Sequence, residues 1–207
     1  MLALNVNRMS IILPSGKLEI QLRAQGVQLI AGVDEAGAGA LAGPVVAAAV
    51  ILPEGHGLAV RDSKTLSQRQ RETLFDQIHA VAIAVGVGIV HVEDINKLGI
   101  RPANLLAMQK AAEALTHVDH ILVDAREIPH IKISQTAIIR GDQQEFCIAA
   151  ASIIAKVTRD RFMTEVHQLF PQYNFAQHKG YGTLAHRMAV QTHGRCSLHR
   201  ESFTIEV

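Results

Sequence analysis

Nearly uninterrupted apolar runs early in the chain predict β-strands that are buried on both faces. Residues 29–35 and 45–52 show little of the alternation expected of a strand with one face in water. A third apolar run, residues 80–90, is rich in small residues and predicts a closely packed third strand. Two shorter runs, HILVDA (120–125) and TAIIRGD (136–142), predict strands that each end in an aspartate.

Helix signals lie between and after these strands. Ser67 is a suitable N-cap for the segment that follows it, and Pro102 suits the first turn of another helix. The predicted helices cover residues 67–79, 93–98, 102–115, 145–170 and 184–192. Three early strands followed by alternating helices and strands predict one α/β domain with a mixed sheet, over residues 29–207.

Residues 1–28 precede this domain and are interpreted as a packing appendage. In SIILPSGKLEIQL, residues 10–22, two short apolar stretches flank Pro14, Ser15 and Gly16. Because Pro and Gly favour turns, this segment is predicted to form two short strands around a turn.

Composition restricts the class of protein. The two cysteines, Cys147 and Cys196, lie far apart and predict reduced thiols in the cytoplasm rather than a disulfide framework. No apolar run reaches the length of a membrane span, and no secretory signal is expected. Lys and Arg total 20 against 19 Asp and Glu, so any contact with nucleic acid has to use local positive charge.

Acidic side chains stand at the ends of three predicted strands, and this pattern indicates a metal site. Asp34 and Glu35 end the first strand, and Asp124 and Asp142 end the two shorter ones. Because sites in α/β sheets are built where strands end, these four carboxylates are expected to meet. Carboxylates suit Mg²⁺ or Mn²⁺, and two such ions roughly 3.5–4 Å apart clamp the attacking and leaving oxygens of a phosphodiester.

Each acid also has a purely structural explanation. Asp142 opens the stretch DQQE and can form a capping box with Glu145 at the start of the long helix. Asp124 can make a turn after its strand. Asp34 and Glu35 are adjacent and point to opposite faces of a strand, so they share a site only if the chain twists just beyond them.

Two other patterns in the sequence resemble ligand-binding sites. The loop GAGALAG, residues 37–43, looks like a dinucleotide-binding glycine pattern, but Pro44 and the apolar run after it predict a strand where that motif needs a helix. It is therefore rejected. His193, Cys196 and His199 have a spacing that suits zinc, but no fourth ligand is specified, and a polar C-terminal loop is preferred.

Taken together, the motifs resemble those of type 2 ribonuclease H, the ribonuclease HII family of bacteria. The matching segments lie within residues 29–203 and are AGVDEAG, LAGPVVAAAVIL, DSKTLS, LLAMQKA, ILVDA, RGD, IAAASIIAKVTRD, FPQYNFAQHKGYGT and HRESF. The resemblance implies a ribonuclease H-like fold, with a central mixed five-stranded sheet flanked by helices and a helical C-terminal part. It implies that Asp34, Glu35, Asp124 and Asp142 are the catalytic acids, which bind Mg²⁺ or Mn²⁺ in a two-metal mechanism.

The implied reaction is endonucleolytic hydrolysis of the phosphodiester 5′ to a ribonucleotide, leaving 3′-hydroxyl and 5′-phosphate ends. Implied substrates are RNA–DNA hybrids and duplex DNA with single embedded ribonucleotides, as in ribonucleotide excision repair. Such an enzyme must sense a 2′-hydroxyl. The loop Gly37, Ala38 and Gly39 can offer backbone groups to it, and Tyr181 is at the position that the family packs against the sugar at the RNA–DNA junction.

Charged residues outside the acids complete the predicted site. Ser63, Lys64 and Lys179 are predicted to contact substrate. Arg159, on the long helix, is interpreted as a solvated charge, and Arg200 as part of a path for DNA. The protein is expected to act as a monomer, because this mode of recognition needs no symmetry.

The sequence departs from the family pattern at several positions, among them Thr65, Gly99 and Ala125, and most consequentially in the loop after the first strand. Ala38 stands where the family usually has Arg, within Gly-Arg-Gly, so a cation that can hold phosphate is missing beside the scissile region. Three hypotheses follow. The chain is an endonuclease of this type, or it is a weakened or inactive relative that binds ribonucleotide-containing duplexes without efficient turnover. The third is another polynucleotidyl transferase, such as a junction resolvase, that uses the same acids; KGYGT and GVDEAG occurring together argue against it.

Overall fold

The computed structural model describes residues 13–206, in which a mixed sheet of five strands lies between layers of helices. The strands are β1 (Ile30–Ala36), β2 (Val45–Ile51), β3 (Ala84–Val90), β4 (His120–Asp124) and β5 (Ser134–Ile138). The helices are α1 (Lys17–Ala24), α2 (Gln68–Val81), α3 (Val92–Leu98), α4 (Ile100–Glu113), α5 (Phe146–Val166), α6 (Phe175–His178) and α7 (Leu184–His193). The predicted α/β architecture is confirmed. Within the described range, no helix has both the length and the apolar character needed to cross a membrane.

Strand directions bring the ends of three strands together. The order across the sheet is β3-β2-β1-β4-β5. β1 runs antiparallel to β2 but parallel to β4, and β4 runs parallel to β5. The carboxyl ends of β1, β4 and β5 therefore share one edge of the sheet. Val33 is paired with Val123, so Asp34 and Asp124 follow at the same level.

Helices cover both faces of the sheet, and small residues let them approach closely. On β2, Val45 and Ala47 face α4, while Val50 faces α2 and α5. A Cβ placed on Gly32 of β1 would lie 2.1 Å from the backbone carbonyl carbon of Cys147 in α5. The first turn of α5 therefore rests directly on β1, close to Asp34.

The C-terminal part is helical, as predicted, and packs against the loop that follows β1. Its apolar cluster joins that loop to α5, α6 and α7, and contains Ala42, Met163, Tyr173, Phe175 and Val190. The loop between β1 and β2 is thereby enclosed from one side by protein.

Three predicted boundaries were wrong. Residues 17–24 form α1 rather than a strand, and the first part of the predicted appendage, residues 1–12, lies outside the described residues. β3 begins at Ala84 because α2 continues through Val81. Asp142 lies in a 3-10 turn rather than at the end of β5.

Two carboxylates cap each other's helices and fix α1 to the domain. Glu145, the N-cap residue of α5, accepts hydrogen bonds from the backbone N–H groups of Leu18 and Glu19 at 3.0 and 3.1 Å. The Glu19 carboxylate in turn accepts from the N–H of Cys147 at 3.0 Å. Because both acids are buried, α1 is held by satisfied polar contacts as well as by apolar packing. The capping box predicted between Asp142 and Glu145 does not form.

Candidate active site

Four acids gather at the edge of the sheet where β1, β4 and β5 end. Asp34 and Glu35 lie near the end of β1, Asp124 is the last residue of β4, and Asp142 lies in the 3-10 turn that leads to α5. Asp34 and Asp142 are 5% and 3% exposed, and Glu35 and Asp124 are half-buried. Parallel pairing of β1, β4 and β5 is what brings residues about a hundred positions apart into one site.

Burial and mutual repulsion oppose ionisation of all four acids. Burial raises the pKa of Asp34 well above its usual value, and the charges of Glu35 and Asp124 raise it further. The pKa of Asp142 is raised to about 6, first by burial and then by the charges of Asp62 and Asp124. Burial is also the main reason that the pKa values of Glu35 and Asp124 are raised. Such a cluster favours a bound cation or a proton.

The two acids of β1 approach the site from opposite faces of the sheet. Asp34 lies on the α5 side, where Ser152 contacts its carboxylate and lowers its pKa. Glu35 lies on the α4 side, where hydrogen bonding by the Asn104 amide partly offsets the effect of burial on its pKa. The structure thus retains the alternation of a strand at these two residues.

The donor chemistry fits a hard divalent cation, but the side chains are not yet arranged around one point. Within residues 13–206, no three Asp, Glu, His or Cys side chains converge closely enough to hold a metal ion as they stand. Four carboxylates whose pKa values are raised mainly by burial provide the oxygen ligands preferred by Mg²⁺ and Mn²⁺. Rotation of the Asp and Glu side chains is therefore the adjustment that metal binding requires.

Lys64 and Ser63 lie beside the acids with different exposure. Lys64 is 82% exposed in its side chain, and its Nζ is 3.8 Å from Asp142 Oδ2. Ser63 is buried, and its Oγ is 2.9 Å from the Oγ of Ser152. Lys64 is placed to reach a substrate, whereas Ser63 helps to hold Ser152 against Asp34.

Two buried arginines hold the loop that follows the β1 acids. Arg159 of α5 is fully buried and donates hydrogen bonds of 2.9 Å to the carbonyl oxygens of Ala42, Pro44 and Lys179. The interpretation of Arg159 as a solvated charge is therefore wrong. Its guanidinium supplies the hydrogen-bond donors that water would otherwise supply to these buried carbonyl groups.

Arg200 performs the same task from the C-terminal segment. It is also fully buried, and it donates to the carbonyl oxygens of Ala38, Gly43 and Pro44 at 2.9–3.2 Å. Its proposed place on a DNA path is wrong, because no part of the side chain reaches solvent. Arg159 and Arg200 were missed as loop supports because neither contact leaves a local sequence signal.

The loop turns its N–H groups away from these arginines. The Ala38 carbonyl points to Arg200, and the N–H of Gly39 belongs to the same planar trans peptide, so it points to the opposite side. Gly39 itself is exposed, and a Cβ placed on it would meet nothing within 4 Å. The N–H groups of Ala38 and Gly39 donate to no other group among residues 13–206. Gly37 differs, because at φ +97° a Cβ there would lie 2.1 Å from Nε of Arg159.

Tyr181 and Lys179 lie beside this loop. The half-exposed ring of Tyr181 is 5.1 Å from both the Lys156 ammonium and the Arg159 guanidinium. Lys179 is buried, and its ammonium donates to Thr164 and to a backbone carbonyl, at 2.7 and 2.5 Å. Tyr181 is thus available to a ligand, whereas the charge of Lys179 is used within the protein.

A cleft opens from the acids on the α4 side. Its volume is about 470 Å³, and it reaches from Glu35 and Asp124 past Ala38 to Phe203. The first turns of α4 form its other wall and contribute Asn104, whose Oδ1 is buried without a partner. No local sequence pattern pointed to Asn104, because its contact with Glu35 joins distant parts of the chain.

The histidines near the C-terminus form a hydrogen-bonded chain rather than a metal centre. His199 Nδ1 accepts from the N–H of Cys196 at 2.9 Å, which leaves its Nε2 to donate to Nε2 of His186 at 3.1 Å. His186 Nδ1 then donates to the Tyr181 carbonyl at 2.9 Å. Burial lowers the pKa of His186 to about 4, so this chain is neutral at pH 7.

Comparison with known proteins places the chain among ribonucleases. Residues 31–206 match the family model for Ribonuclease HII. The ribonuclease HII of Caldanaerobacter subterraneus subsp. tengcongensis is 47% identical over 191 residues, covering 91% of this chain and 79% of that protein. The ribonuclease HII of Syntrophus aciditrophicus is 50% identical over 183 residues, covering 87% and 86%. The ribonuclease HII of Archaeoglobus fulgidus, solved in complex with PCNA, has 26% identity and a TM-score of 0.75, covering 86% of this chain and 96% of that one. The ribonuclease H-like fold is confirmed.

Proposed function

Because the chain belongs to the ribonuclease HII family, and is therefore a type 2 ribonuclease H, we propose that it cuts the phosphodiester 5′ to a ribonucleotide. Its substrates are RNA–DNA hybrids and duplex DNA with single embedded ribonucleotides, and its products carry 3′-hydroxyl and 5′-phosphate ends. The observation that carries this proposal is the convergence of Asp34, Glu35, Asp124 and Asp142 beside a loop with free N–H groups.

The four acids would hold two Mg²⁺ or Mn²⁺ ions. When bound, these ions supply a more acidic water as the nucleophile and charge stabilisation for the leaving 3′-oxygen. Raised pKa values support this role, because the carboxylates are crowded enough to favour a cation as their partner. Ser152 and Asn104 orient Asp34 and Glu35, and Lys64 adds a mobile positive charge beside Asp142.

Recognition of the ribonucleotide would fall to the loop after β1 and to Tyr181. The free N–H of Gly39 faces open space and can donate to a 2′-hydroxyl, which is the group that distinguishes RNA from DNA at one position. The half-exposed Tyr181 ring can pack against the adjoining sugar. All of these groups come from one chain, which supports a monomer as the active unit.

The alternative, a relative that binds but turns over poorly, depends on Ala38. Its methyl group lines the cleft where an arginine would place a cation. The loop backbone does not depend on that side chain, because Arg159 and Arg200 hold it through carbonyl groups. We therefore favour an active enzyme. Under the alternative, Ala38→Arg raises turnover greatly while leaving binding to ribonucleotide-containing duplexes largely unchanged.

The test is cleavage of a labelled DNA duplex that carries one ribonucleotide, with Mg²⁺ and with Mn²⁺. An all-DNA duplex of the same sequence and the Asp34→Asn variant are the controls. Cleavage 5′ to the ribonucleotide that is absent from both controls is the expected result. Cleavage of the all-DNA duplex would contradict the proposal, and ribonucleotide-dependent binding without cleavage would support the alternative.

A further inference from the structure

Two arginines line the cleft without a side-chain partner among residues 13–206. Arg101 lies in the first turn of α4, and Arg126 follows Asp124 by two residues. Both are exposed, and neither guanidinium makes an ion pair or a hydrogen bond within residues 13–206. This contrasts with Arg159 and Arg200, whose donors are used by backbone carbonyls. Free guanidinium groups at the mouth of a cleft are suited to bind an anion, above all a phosphate.

The cleft offers an apolar surface next to these cations. Leu105 and Met108 of α4 line it from one side, and Phe203 lines it from the C-terminal segment. The Phe203 ring is itself held 5.3 Å from the Arg200 guanidinium. Apolar and aromatic side chains beside free cations match a nucleotide, which combines a phosphate with a sugar and the flat face of a base.

The inner end of the cleft adjoins the proposed reaction site. Glu35 and Asp124 line its inner end, and Ala38, whose peptide links to the Gly39 N–H, lines the same wall. A longer side chain at position 38 would enter this space. A nucleotide held in the cleft would therefore be contiguous with the one whose phosphodiester lies over the acids.

We propose that this cleft seats one nucleotide of the substrate strand next to the scissile phosphate, with its phosphate bound by Arg101 and Arg126. Its sugar and base lie against Leu105, Met108 and Phe203. The inference rests on the proposed function for the identity of the strand. It makes the two arginines substrate-positioning residues that supply positive charge where Ala38 supplies none.

The test is binding in the Asp34→Asn background, which separates affinity from turnover. Fluorescence anisotropy is measured with a labelled duplex carrying one ribonucleotide and with its all-DNA counterpart, over a range of salt concentrations. The test variant is Arg101→Ala/Arg126→Ala. The matched control is Lys110→Ala/Lys132→Ala, which removes the same charge from the opposite end of α4 and from the segment before β5.

The test variant is expected to bind both duplexes about tenfold or more weakly than its parent. The slope of log affinity against log salt should also fall in magnitude by about 1, because the variant no longer neutralises one phosphate and its binding releases about one counterion fewer. The control variant should keep the parental slope. Equal losses in the two double variants, or an unchanged slope in the test variant, would overturn the assignment.

Two further variants separate a binding role from damage to the fold. Arg101→Lys/Arg126→Lys should keep the salt slope while losing part of the affinity. Adding Ala38→Arg to Arg101→Ala/Arg126→Ala should restore affinity, since position 38 lines the same cleft. Failure of both, with parental melting temperatures, would refute the proposal. Binding of a free nucleoside monophosphate that needs both arginines, without any effect on duplex binding, would also refute it.

Binding tests the cleft separately from cleavage, so the cleft can still be assessed if the proposed function is wrong. A parent protein that does not cleave the ribonucleotide-containing duplex contradicts the proposed function alone. The cleft is judged by the binding of either duplex, because phosphate is common to both. Loss of all-DNA binding in the arginine variant would then still support the cleft as a phosphodiester-binding site.

Discussion

Gly37→Ala is expected to destabilise the protein far more than Gly39→Ala, although both glycines lie in the loop after β1. A Cβ on Gly37 would stand 2.1 Å from Nε and 2.6 Å from Cδ of Arg159, and 2.8 Å from the Pro44 carbonyl oxygen. Its φ of +97° is also unfavourable for an L-residue with a side chain. A Cβ on Gly39 meets nothing within 4 Å, and its φ is not in the positive range.

Three effects add up at Gly37. Backbone strain costs about 1–2 kcal/mol, and forcing a methyl group into a packed site costs about 1–3 kcal/mol. Displacing the Arg159 guanidinium weakens its bond to the Pro44 carbonyl, which costs about 1–3 kcal/mol if that oxygen loses its donor. The free energy of unfolding should therefore fall by about 3–8 kcal/mol, a large part of the roughly 5–15 kcal/mol typical of a domain.

Urea unfolding followed by circular dichroism measures the difference. With a slope of about 2 kcal/mol per molar, Gly37→Ala should lower the urea midpoint by about 1.5–4 M. Gly39→Ala should keep the midpoint within about 0.5 M but reduce cleavage at the ribonucleotide, because its methyl group stands where a sugar must approach the N–H. Equal midpoints for the two variants would refute the packing of Arg159 against Gly37.

Three further predictions use the same kind of measurement. Asp142→Asn should stabilise the metal-free protein at pH 7, because the raised pKa of Asp142 in the folded state means that its charged form opposes folding. This gain in stability should be complete above about pH 6 and should vanish as the pH falls to 3.8. Melting in EDTA between pH 4 and 8 tests this, and a pH-independent gain would contradict it. His186→Gln should make the protein lose less stability than its parent when the pH falls from 6.5 to about 4. The reason is that His186 takes up a proton at a higher pH in the unfolded state than in the folded state, so acid favours unfolding of the parent. The same dependence of stability on pH in both proteins would contradict this. Glu145→Ala should cost about 1–3 kcal/mol through two lost N-terminal hydrogen bonds of α1, against less than about 0.5 kcal/mol for exposed Glu54→Ala.

The elements that carry the acids could be predicted from the sequence because their signals are local. The apolar runs of β1 and β2 are continuous since both faces of the central strands are covered, and that pattern is visible in the chain itself. Ser67 likewise forms the expected cap, with a full capping box to Gln70. Parallel strands ending at one edge then make it reasonable to expect the acids together.

Features set by distant contacts could not be predicted in this way. The segment at residues 17–24 alternates weakly and reads as a strand, but Glu145, more than a hundred residues later, caps it as a helix. In the sequence, Arg159 cannot be distinguished from a charged residue on an exposed helix surface. Its burial follows from the packing of the loop after β1 against α5, where it donates to the Pro44 carbonyl. The polar partner of Glu35, Asn104, is likewise supplied by a helix from another part of the chain.

The arrangement of charges around the acids explains why the arginines bind backbone. A guanidinium paired with Asp34 would satisfy that carboxylate and occupy the place of a metal ion. Arg159 and Arg200 instead donate to carbonyl oxygens of the loop, so neither guanidinium takes the place proposed for the metal ions. The same bonds turn the opposite edge of the Ala38–Gly39 peptide outward. In the proposed enzyme, these two arginines would thus leave both the acids and the outward-facing peptide available to their ligands. A conservative Arg200→Lys change cannot donate to three carbonyl groups in the same plane, so it should impair recognition of the ribonucleotide before it impairs the acids.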